Sequence, residues 1–491
     1  MRGPLPSLRL LCVGVIAALA SAALPVAASA APPTISCTVA AGVTTCTGTT
    51  TERSGLTANF RIDFPSGWNG TLALYSHGYS FTPIKPADVA DVGDPATGAW
   101  LLSHGYALAG SAYATSGWAL EQAFQDQIAV LDLFAAKFGK PKRTIAWGHS
   151  LGGMITAGLV QLFPNRFTAA LPMCGVVAGG PGVWNQGLDS EFAFEMLQAP
   201  GAFKLVNFTA ADVGTEFGKA SAALVAAQAT PQGRARIALS AALADVPGWF
   251  NPASPEPAAT DYTTQEANQF AWDQNPDFLF GFFGRFELES RAGGNVSWNT
   301  GVDYREQLAR STDRAEVVAL YKAAGLDLGA ELDTLNDAPR IAADPKAVDY
   351  LTKFITYNGD IDMPVLTMHT TGDGLVEVTD EQAYASVVAS AGDSNLLRQV
   401  FVHRAGHCTF TPAETISAFQ TLVERIDKGH WQGTDPTDMN ADAAALGSAA
   451  NVAPPSFIRF HPGQFLRRFD VRDLEDEGGD QNGDHNGNSN V

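Results

Sequence analysis

Positively charged residues are scarce in this chain: 31 Lys and Arg stand against 51 Asp and Glu among 491 residues, for a formal net charge of −20. A protein that binds nucleic acid needs a basic surface to neutralise phosphates. The charge balance therefore predicts that no nucleic acid is bound. Charged residues of both signs amount to only 17% and apolar residues to 46%, a composition that supplies a large buried core.

Long apolar runs are also nearly absent. The longest, Leu10–Leu24, is shorter than the roughly 20 residues that a membrane helix needs. It follows Arg2 and Arg9 and precedes the small residues Ala28-Ser29-Ala30, the pattern of a cleavable secretory signal. We expect cleavage near Ala30 and a secreted, extracellular protein without a stable membrane anchor. An uncleaved anchor is the alternative.

Cysteine is rare as well, and one of the five, Cys12, lies in the predicted signal. The four others are Cys37, Cys46, Cys174 and Cys408. An even number of cysteines in an oxidising compartment predicts two disulfides, which allow three pairings. The short Thr-rich stretch between the first two favours a hairpin with a local bond, which would leave the other two to pair. Buried free thiols are the alternative.

Strand-like and helical patterns alternate in two parts of the chain and predict a parallel sheet with right-handed crossovers. The first part holds strands at 71–75, 106–110, 144–147 and 169–173, with helices at 120–138 and 154–163. The second holds strands at 364–369 and 397–403, with helices at 380–391 and 414–428. Between them the chain is rich in Ala and aromatic residues, with helical patterns and no clear strand.

These patterns predict a split domain. The expected segments are a signal peptide 1–30, a β-rich N-terminal extension 31–59, the first part of an α/β core 60–184, a helical cap 185–355, the second part of the core 356–430, a C-terminal extension 431–469 and a disordered acidic tail 470–491.

The clearest motif is Gly148-His149-Ser150-Leu151-Gly152, which matches G-x-S-x-G. A predicted strand enters it and a predicted helix leaves it, as the sharp turn around a nucleophilic serine requires. Glycines are needed on both sides because a side chain there would collide with neighbouring backbone. The motif predicts Ser150 as a nucleophile, and a plain glycine-rich turn is the alternative.

A serine nucleophile needs a base, and the base needs an acid. His407 follows Gly406 in a predicted loop at the end of a strand, which favours it over His403. Their spacing lacks the Glu of the H-E-x-x-H zinc motif, so we expect no metal site. Asp373 follows the strand at 364–369, whereas Asp362 precedes it and lies at the wrong end. A fallback acid is Glu377, and a loop-capping role is the alternative for Asp373.

The chain order Ser150, Asp373, His407 resembles that of the α/β-hydrolase family of lipases, esterases and peptidases. The likeness covers about 60–184 and 355–430, with Thr370 replacing a glycine in the family's acid segment. It implies a mostly parallel sheet flanked by helices, with the cap inserted after the strand that follows the nucleophile strand and serving as a lid.

The resemblance also implies chemistry. The backbone N–H groups of Leu151 and Tyr79 would form the oxyanion hole, and neither a cofactor nor a metal is implied. Cys174 and Cys408 fall at the same sheet edge, where a bond would pin the histidine loop.

We therefore expect a secreted serine hydrolase that cleaves carboxylic esters through an acyl-enzyme, acting on an ester or peptide-like substrate with an apolar part. One alternative is an exopeptidase of the same fold, in which Glu191, Glu195 or Glu289 would bind a substrate amine. A catalytically inactive binding protein is the other.

Overall fold

The computed structural model describes residues 34–469. The predicted signal peptide and acidic tail lie outside these residues. Ten strands form one sheet in the order β1-β2-β3-β5-β4-β6-β7-β8-β9-β10. The strands are β1 Thr34–Ala40, β2 Val43–Thr51, β3 Thr57–Pro65, β4 Thr71–Ser76, β5 Ala107–Ser111, β6 Arg143–His149, β7 Ala169–Met173, β8 Val365–Gly372, β9 Leu397–Ala405 and β10 Phe457–Ile458.

The centre of this sheet is parallel and its edges are antiparallel. Strands β5, β4, β6, β7, β8 and β9 pair in parallel, whereas β1, β2, β3 and β10 pair antiparallel. Every residue of β4 and β7 is buried, as expected for strands covered on both faces. The mostly parallel sheet flanked by helices confirms the predicted fold class.

Helices cover both faces of the sheet. Leu72 and Leu74 of β4 pack in one apolar cluster with Phe124, while Ala73 of the same strand packs in another with Phe419. This division follows from the alternation of side chains along a strand. The helices around the sheet are α1 Pro95–Ser103, α2 Leu120–Phe138, α3 Leu151–Leu162, α13 Asp380–Ala391, α14 Pro412–Lys428 and α15 Pro436–Ala445.

A helical insertion separates β7 from β8, and within it the structure contains no strand between residues 174 and 364. Its helices are α4 Gly180–Gln198, α5 Val213–Gln228, α6 Pro231–Ala242, α7 Tyr262–Trp272, α8 Arg285–Ala292, α9 Tyr304–Arg310, α10 Arg314–Ala324, α11 Leu328–Asp337 and α12 Pro345–Lys353. Two short π-helical stretches, Asp273–Asp277 and Phe280–Gly284, lie between α7 and α8. The insertion has its own apolar core, which includes Phe194, Leu239 and Tyr321.

The last described segment returns to the insertion. After β10 has paired with β9, Phe465 donates its backbone N–H to Gln382, and Arg467 forms an ion pair with buried Asp189 of α4 at 2.5 Å. The C-terminal extension is therefore tied to both parts of the fold. In the part of the chain that the structure describes, no helix is long and apolar enough to cross a membrane.

Candidate active site

Ser150 lies on a sharp turn between β6 and α3. Its backbone has φ 60° and ψ −128°, a strained conformation that a nucleophile elbow imposes. A Cβ added at Gly148 would come within 2.4 Å of the Ser76 carbonyl oxygen, and one at Gly152 within 2.0 Å. Both glycines of the motif are therefore required by close backbone approach. Ser150 itself remains partly exposed.

Asp373 and His407 lie together at the edge of the sheet where β8 and β9 end. His407 Nδ1 is 2.7 Å from Asp373 Oδ2, and Asp373 Oδ1 accepts the N–H groups of Leu375 and Val376 at 3.1 Å each. Burial alone would raise the pKa of Asp373. The charge and hydrogen bond of His407, with the charge of His369, outweigh that effect and hold the pKa below its usual value.

Among the described residues no hydrogen bond joins the Ser150 hydroxyl to His407, whose Nε2 lies 3.4 Å from Cys408 Sγ. Catalytic hydrogen bonds in ligand-free sites are often long and tighten when substrate binds. The other candidate base, His403, lies inside β9 rather than at its end, because this strand continues to Ala405. Its Nε2 is 3.4 Å from Glu256, so it does not take part in the Asp373 pair.

A second histidine, which is fully buried, lies behind Asp373 and was not found by sequence reasoning. His369, on β8, is fully buried, and its Nε2 lies 3.7 Å from Asp373 Oδ2. Its Nδ1 is 3.1 Å from Glu381 Oε1 on α13. Burial would lower the pKa of His369, but the hydrogen bond and charge of Glu381, with the charge of Asp373, raise it to about 9. The charge of His369 thus favours the ionised form of Asp373.

The two predicted oxyanion donors border the serine. The His77-Gly78-Tyr79 loop follows β4, and a Cβ at Gly78 would lie 3.2 Å from that of Ser150. In the described part of the chain, neither the N–H group of Leu151 nor that of Tyr79 is a donor in the backbone hydrogen bonds of turns, loops and helix caps. Glu287 of α8 accepts the N–H of Trp118 at 2.9 Å and the Tyr79 hydroxyl at 3.5 Å. The insertion thus fixes the loop beside the serine.

Both predicted disulfides are present in the structure. Cys37 and Cys46 face each other across the β1–β2 hairpin. The Cys174–Cys408 bond joins residues 234 positions apart, with their Cα atoms at 5.4 Å. Because Cys408 is next to His407 and Cys174 follows β7, the bond ties the histidine loop to the sheet.

A pocket opens between Ser150 and the insertion. Its walls include Tyr79 and Val176 from the core and aromatic side chains from the insertion, namely Trp184, Phe278 and Phe280. Most other aromatic residues of the insertion, such as Phe194 and Phe282, belong to its own core instead.

Four carboxyl groups also line the pocket: Glu191, Asp273, Asp277 and Glu377. Only Glu191 among the carboxylates suggested for amine binding is there. Glu195 accepts the N–H of Gly201, and Glu289 accepts the N–H groups of Asn207 and Phe208, so both cap backbone inside the insertion. The i, i+4 spacing of Asp273 and Asp277 in an aromatic stretch was the only sequence signal for that pair.

Known proteins resemble the chain at three levels. A model of the prolyl oligopeptidase family matches residues 100–179. The o-phthalyl amidase of Xanthobacter agilis is 30% identical over 425 residues, which cover 79% of this chain and 89% of that protein.

Solved structures add more distant similarities. Feruloyl esterase B from Aspergillus oryzae is 12% identical, with 80% of this chain and 82% of that chain covered and a TM-score of 0.43. The rice cell wall degrading esterase LipA from Xanthomonas oryzae is 14% identical, with 78% and 88% covered and a TM-score of 0.35. The mostly parallel sheet and the extent of the match to the amidase together show that the chain is a hydrolase that belongs to the α/β-hydrolase family.

Proposed function

We propose that the protein is a secreted serine hydrolase that cleaves carboxylic esters through an acyl-enzyme. Ser150 attacks the ester carbonyl while His407 takes its proton, and Asp373 orients and stabilises the resulting imidazolium. The N–H groups of Leu151 and Tyr79 hold the oxyanion. His407 then protonates the leaving alcohol, and water activated by His407 releases the acyl group. No cofactor takes part in this sequence of steps.

The observation that carries the proposal is the 2.7 Å pair of His407 and Asp373 at the same sheet edge as the Ser150 turn. An aspartate that accepts the Nδ1 proton leaves Nε2 free to act as the base. Secretion rests on the leader pattern and is supported by the two disulfides. The pocket between core and insertion supports residues 185–355 as a lid over the substrate.

A second candidate is amide or peptide hydrolysis at the same site. It is favoured by the name of the 30% identical relative, an amidase, and by the prolyl oligopeptidase match over residues 100–179. The same acyl-enzyme steps would serve, with His407 protonating an amine instead of an alcohol. A panel of nitrophenyl esters, aminoacyl anilides and prolyl anilides separates the two candidates by their relative kcat/KM.

Covalent labelling tests the common mechanism. A fluorophosphonate should label the wild type and not Ser150→Ala, because only an activated serine attacks such a reagent. Labelling that persists in Ser150→Ala would assign the nucleophile elsewhere. Absence of labelling in the wild type, with no turnover of any substrate in the panel, would favour an inactive binding protein.

A further inference from the structure

The wall of the pocket that the insertion supplies contains buried carboxyl groups without partners. Asp273 is 2% exposed, and in the described chain no group donates a hydrogen bond to its side chain. Both carboxyl oxygens of Asp277 are buried and without a hydrogen-bond partner. Buried polar groups are nearly always hydrogen-bonded in folded proteins. Two unpartnered aspartates that face one pocket therefore point to a ligand.

The arginine that lines the pocket is already engaged. Arg285, which is 1% exposed, lies 3.3 Å from Glu191 Oε2 and donates to the Ser297 hydroxyl at 2.6 Å and to the Gly281 carbonyl at 3.2 Å. Its guanidinium also stacks over Trp184 at 5.3 Å. Arg285 is thus the partner of Glu191, and among residues 34–469 no ion pair is formed by Asp273, Asp277 or Glu377.

The pKa values of these two aspartates are raised in the same surroundings. Burial, and then the charges of Glu191 and Glu266, raise the pKa of Asp273 well above its usual value. Burial, and then Asp273, Asp373 and Glu191, do the same for Asp277. A cation that entered the pocket would replace such a proton and restore an ionised carboxylate.

The geometry favours an organic cation over a metal ion. Within residues 34–469 no three Asp, Glu, His or Cys side chains are arranged to hold a metal. The carboxyl groups are instead set among the aromatic walls formed by Trp118, Phe278 and Phe280. Aromatic faces attract a desolvated ammonium group and accommodate an apolar body.

We propose that this wall binds a protonated amine of the substrate, with Asp277 and Asp273 as its partners. The preferred substrates would then be esters or amides that carry a cationic amine on an aromatic-sized apolar body. This inference rests on the proposed hydrolysis at Ser150 and adds the class of substrate to it.

Matched substrates test the preference. One pair places the charge on the acyl side: 4-nitrophenyl 4-(aminomethyl)benzoate against the neutral 4-ethylbenzoate ester. A second pair places it on the alcohol side: 4-(aminomethyl)phenyl acetate against 4-ethylphenyl acetate. In the wild type the cationic member of one pair should have the higher kcat/KM. The ratio of kcat/KM for the cationic member to kcat/KM for the neutral member should fall about a hundredfold in Asp277→Asn. This is the size of effect expected when a buried charge loses its partner.

Asp313→Asn is the matched control. Asp313 is also a carboxylate of the insertion with a buried, unpartnered oxygen, and burial raises its pKa to about 7, but it does not line the pocket. The cationic-to-neutral ratio should be the same in this variant as in the wild type. A higher kcat/KM for the neutral member of both pairs, or an equal fall of the cationic-to-neutral ratio in both variants, would overturn the inference.

Binding to Ser150→Ala protein separates this inference from the proposed function. Benzylamine at millimolar concentration should raise its melting temperature, whereas benzyl alcohol and benzoate should raise it less, since a ligand of the native state stabilises it. If the wild type turns over no ester yet benzylamine alone stabilises the variant, the proposed function fails and the amine site stands. If esters are cleaved but benzoate stabilises as much as benzylamine, only the amine site fails.

Discussion

The α/β core and the insertion, which form the two sides of the candidate site, surround their carboxyl groups with different partners. On the core side, Asp373 accepts hydrogen bonds from His407, Leu375 and Val376, and its pKa is held below the usual value. On the insertion side, both carboxyl oxygens of Asp277 are buried without a hydrogen-bond partner, and burial raises the pKa of this group. Burial is common to both, so the difference comes from hydrogen-bond donors and positive charge.

This contrast separates chemistry from recognition. A carboxylate that must stabilise an imidazolium during turnover needs its donors in place beforehand. A carboxyl group that recognises a substrate is best left unsatisfied until that substrate arrives, because the ligand then supplies the missing partner. In the proposed function the α/β core supplies the preorganised pair, and in the proposed substrate preference the insertion supplies an unpartnered carboxyl group.

The largest expected effect is on the core side. Asp373→Asn should lower kcat by about 10³–10⁴, because the amide no longer holds the tautomer of His407 or stabilises its charge. Steady-state kinetics on a neutral nitrophenyl ester measure the loss, and a melting curve checks that the variant is folded. A loss of tenfold or less in folded protein would remove Asp373 from the mechanism, and the fallback Glu377→Gln would then be tested.

The next largest effect is expected when a disulfide is removed, and the loss of stability should differ between the two disulfides. In the chain-entropy model the Cys174–Cys408 bond contributes about 5 kcal/mol and the short Cys37–Cys46 loop about 2.5 kcal/mol. The double variant Cys174→Ser/Cys408→Ser should therefore lose more stability to urea than Cys37→Ser/Cys46→Ser. It should also lose activity, since the first bond anchors the residue next to His407. Unchanged activity and an unchanged free energy of unfolding would remove the bond from any role at the site.

Local signals explain why much of the core was predictable. The G-x-S-x-G spacing reflects a turn that only glycines permit, and helices at 120–138 and 380–391 coincide with the predicted ones. Each of these features is decided within a few residues along the chain. Long-range packing decided the rest. Strand β9 continues past His403 to Ala405 because its pairing with β8 continues, with a bulge, to Gly372.

The pocket residues of the insertion could largely not be predicted from such local signals. Apart from their i, i+4 spacing in an aromatic stretch, nothing in the sequence around Asp273 and Asp277 distinguishes these residues from solvated acids, because the pocket that they line is shared with α4 and the loop after β8, which are distant in the chain. Likewise, Glu289 and Glu191 are both acidic residues on insertion helices, yet one caps backbone and the other lines the pocket. The role of His369 is set by Glu381, twelve residues away on another element.

A smaller effect is expected at His369, which acts through Asp373 as a positioning residue. His369→Gln should lower kcat/KM by about 10- to 100-fold, the size of effect found when a residue that supports a functional side chain is replaced. It should also move the acidic limb of the pH profile upward, because a lost positive charge strengthens proton binding by the Asp373–His407 pair. Glu381→Gln should move the limb in the same direction by releasing the proton of His369. If the acidic limb of the pH profile stays in place in both variants, His369 only packs in the core and does not act through its charge.

The smallest expected effect concerns a buried carboxyl group outside the pocket. Glu316 of α10 is 2% exposed, and burial, followed by the charge of Asp313, raises its pKa to about 9. Because the unfolded chain loses this proton near pH 4.5 and the native protein keeps it, stability falls as the pH rises between those values. Glu316→Gln keeps the neutral form, so it should match the wild type at pH 4 and exceed its free energy of unfolding by about 1 kcal/mol or more at pH 8. Urea titrations at both pH values measure the difference. Since Glu316 does not line the pocket, the preference for a cationic substrate should be unaltered; a change in that preference would mean that buried carboxyl groups away from the pocket also govern recognition.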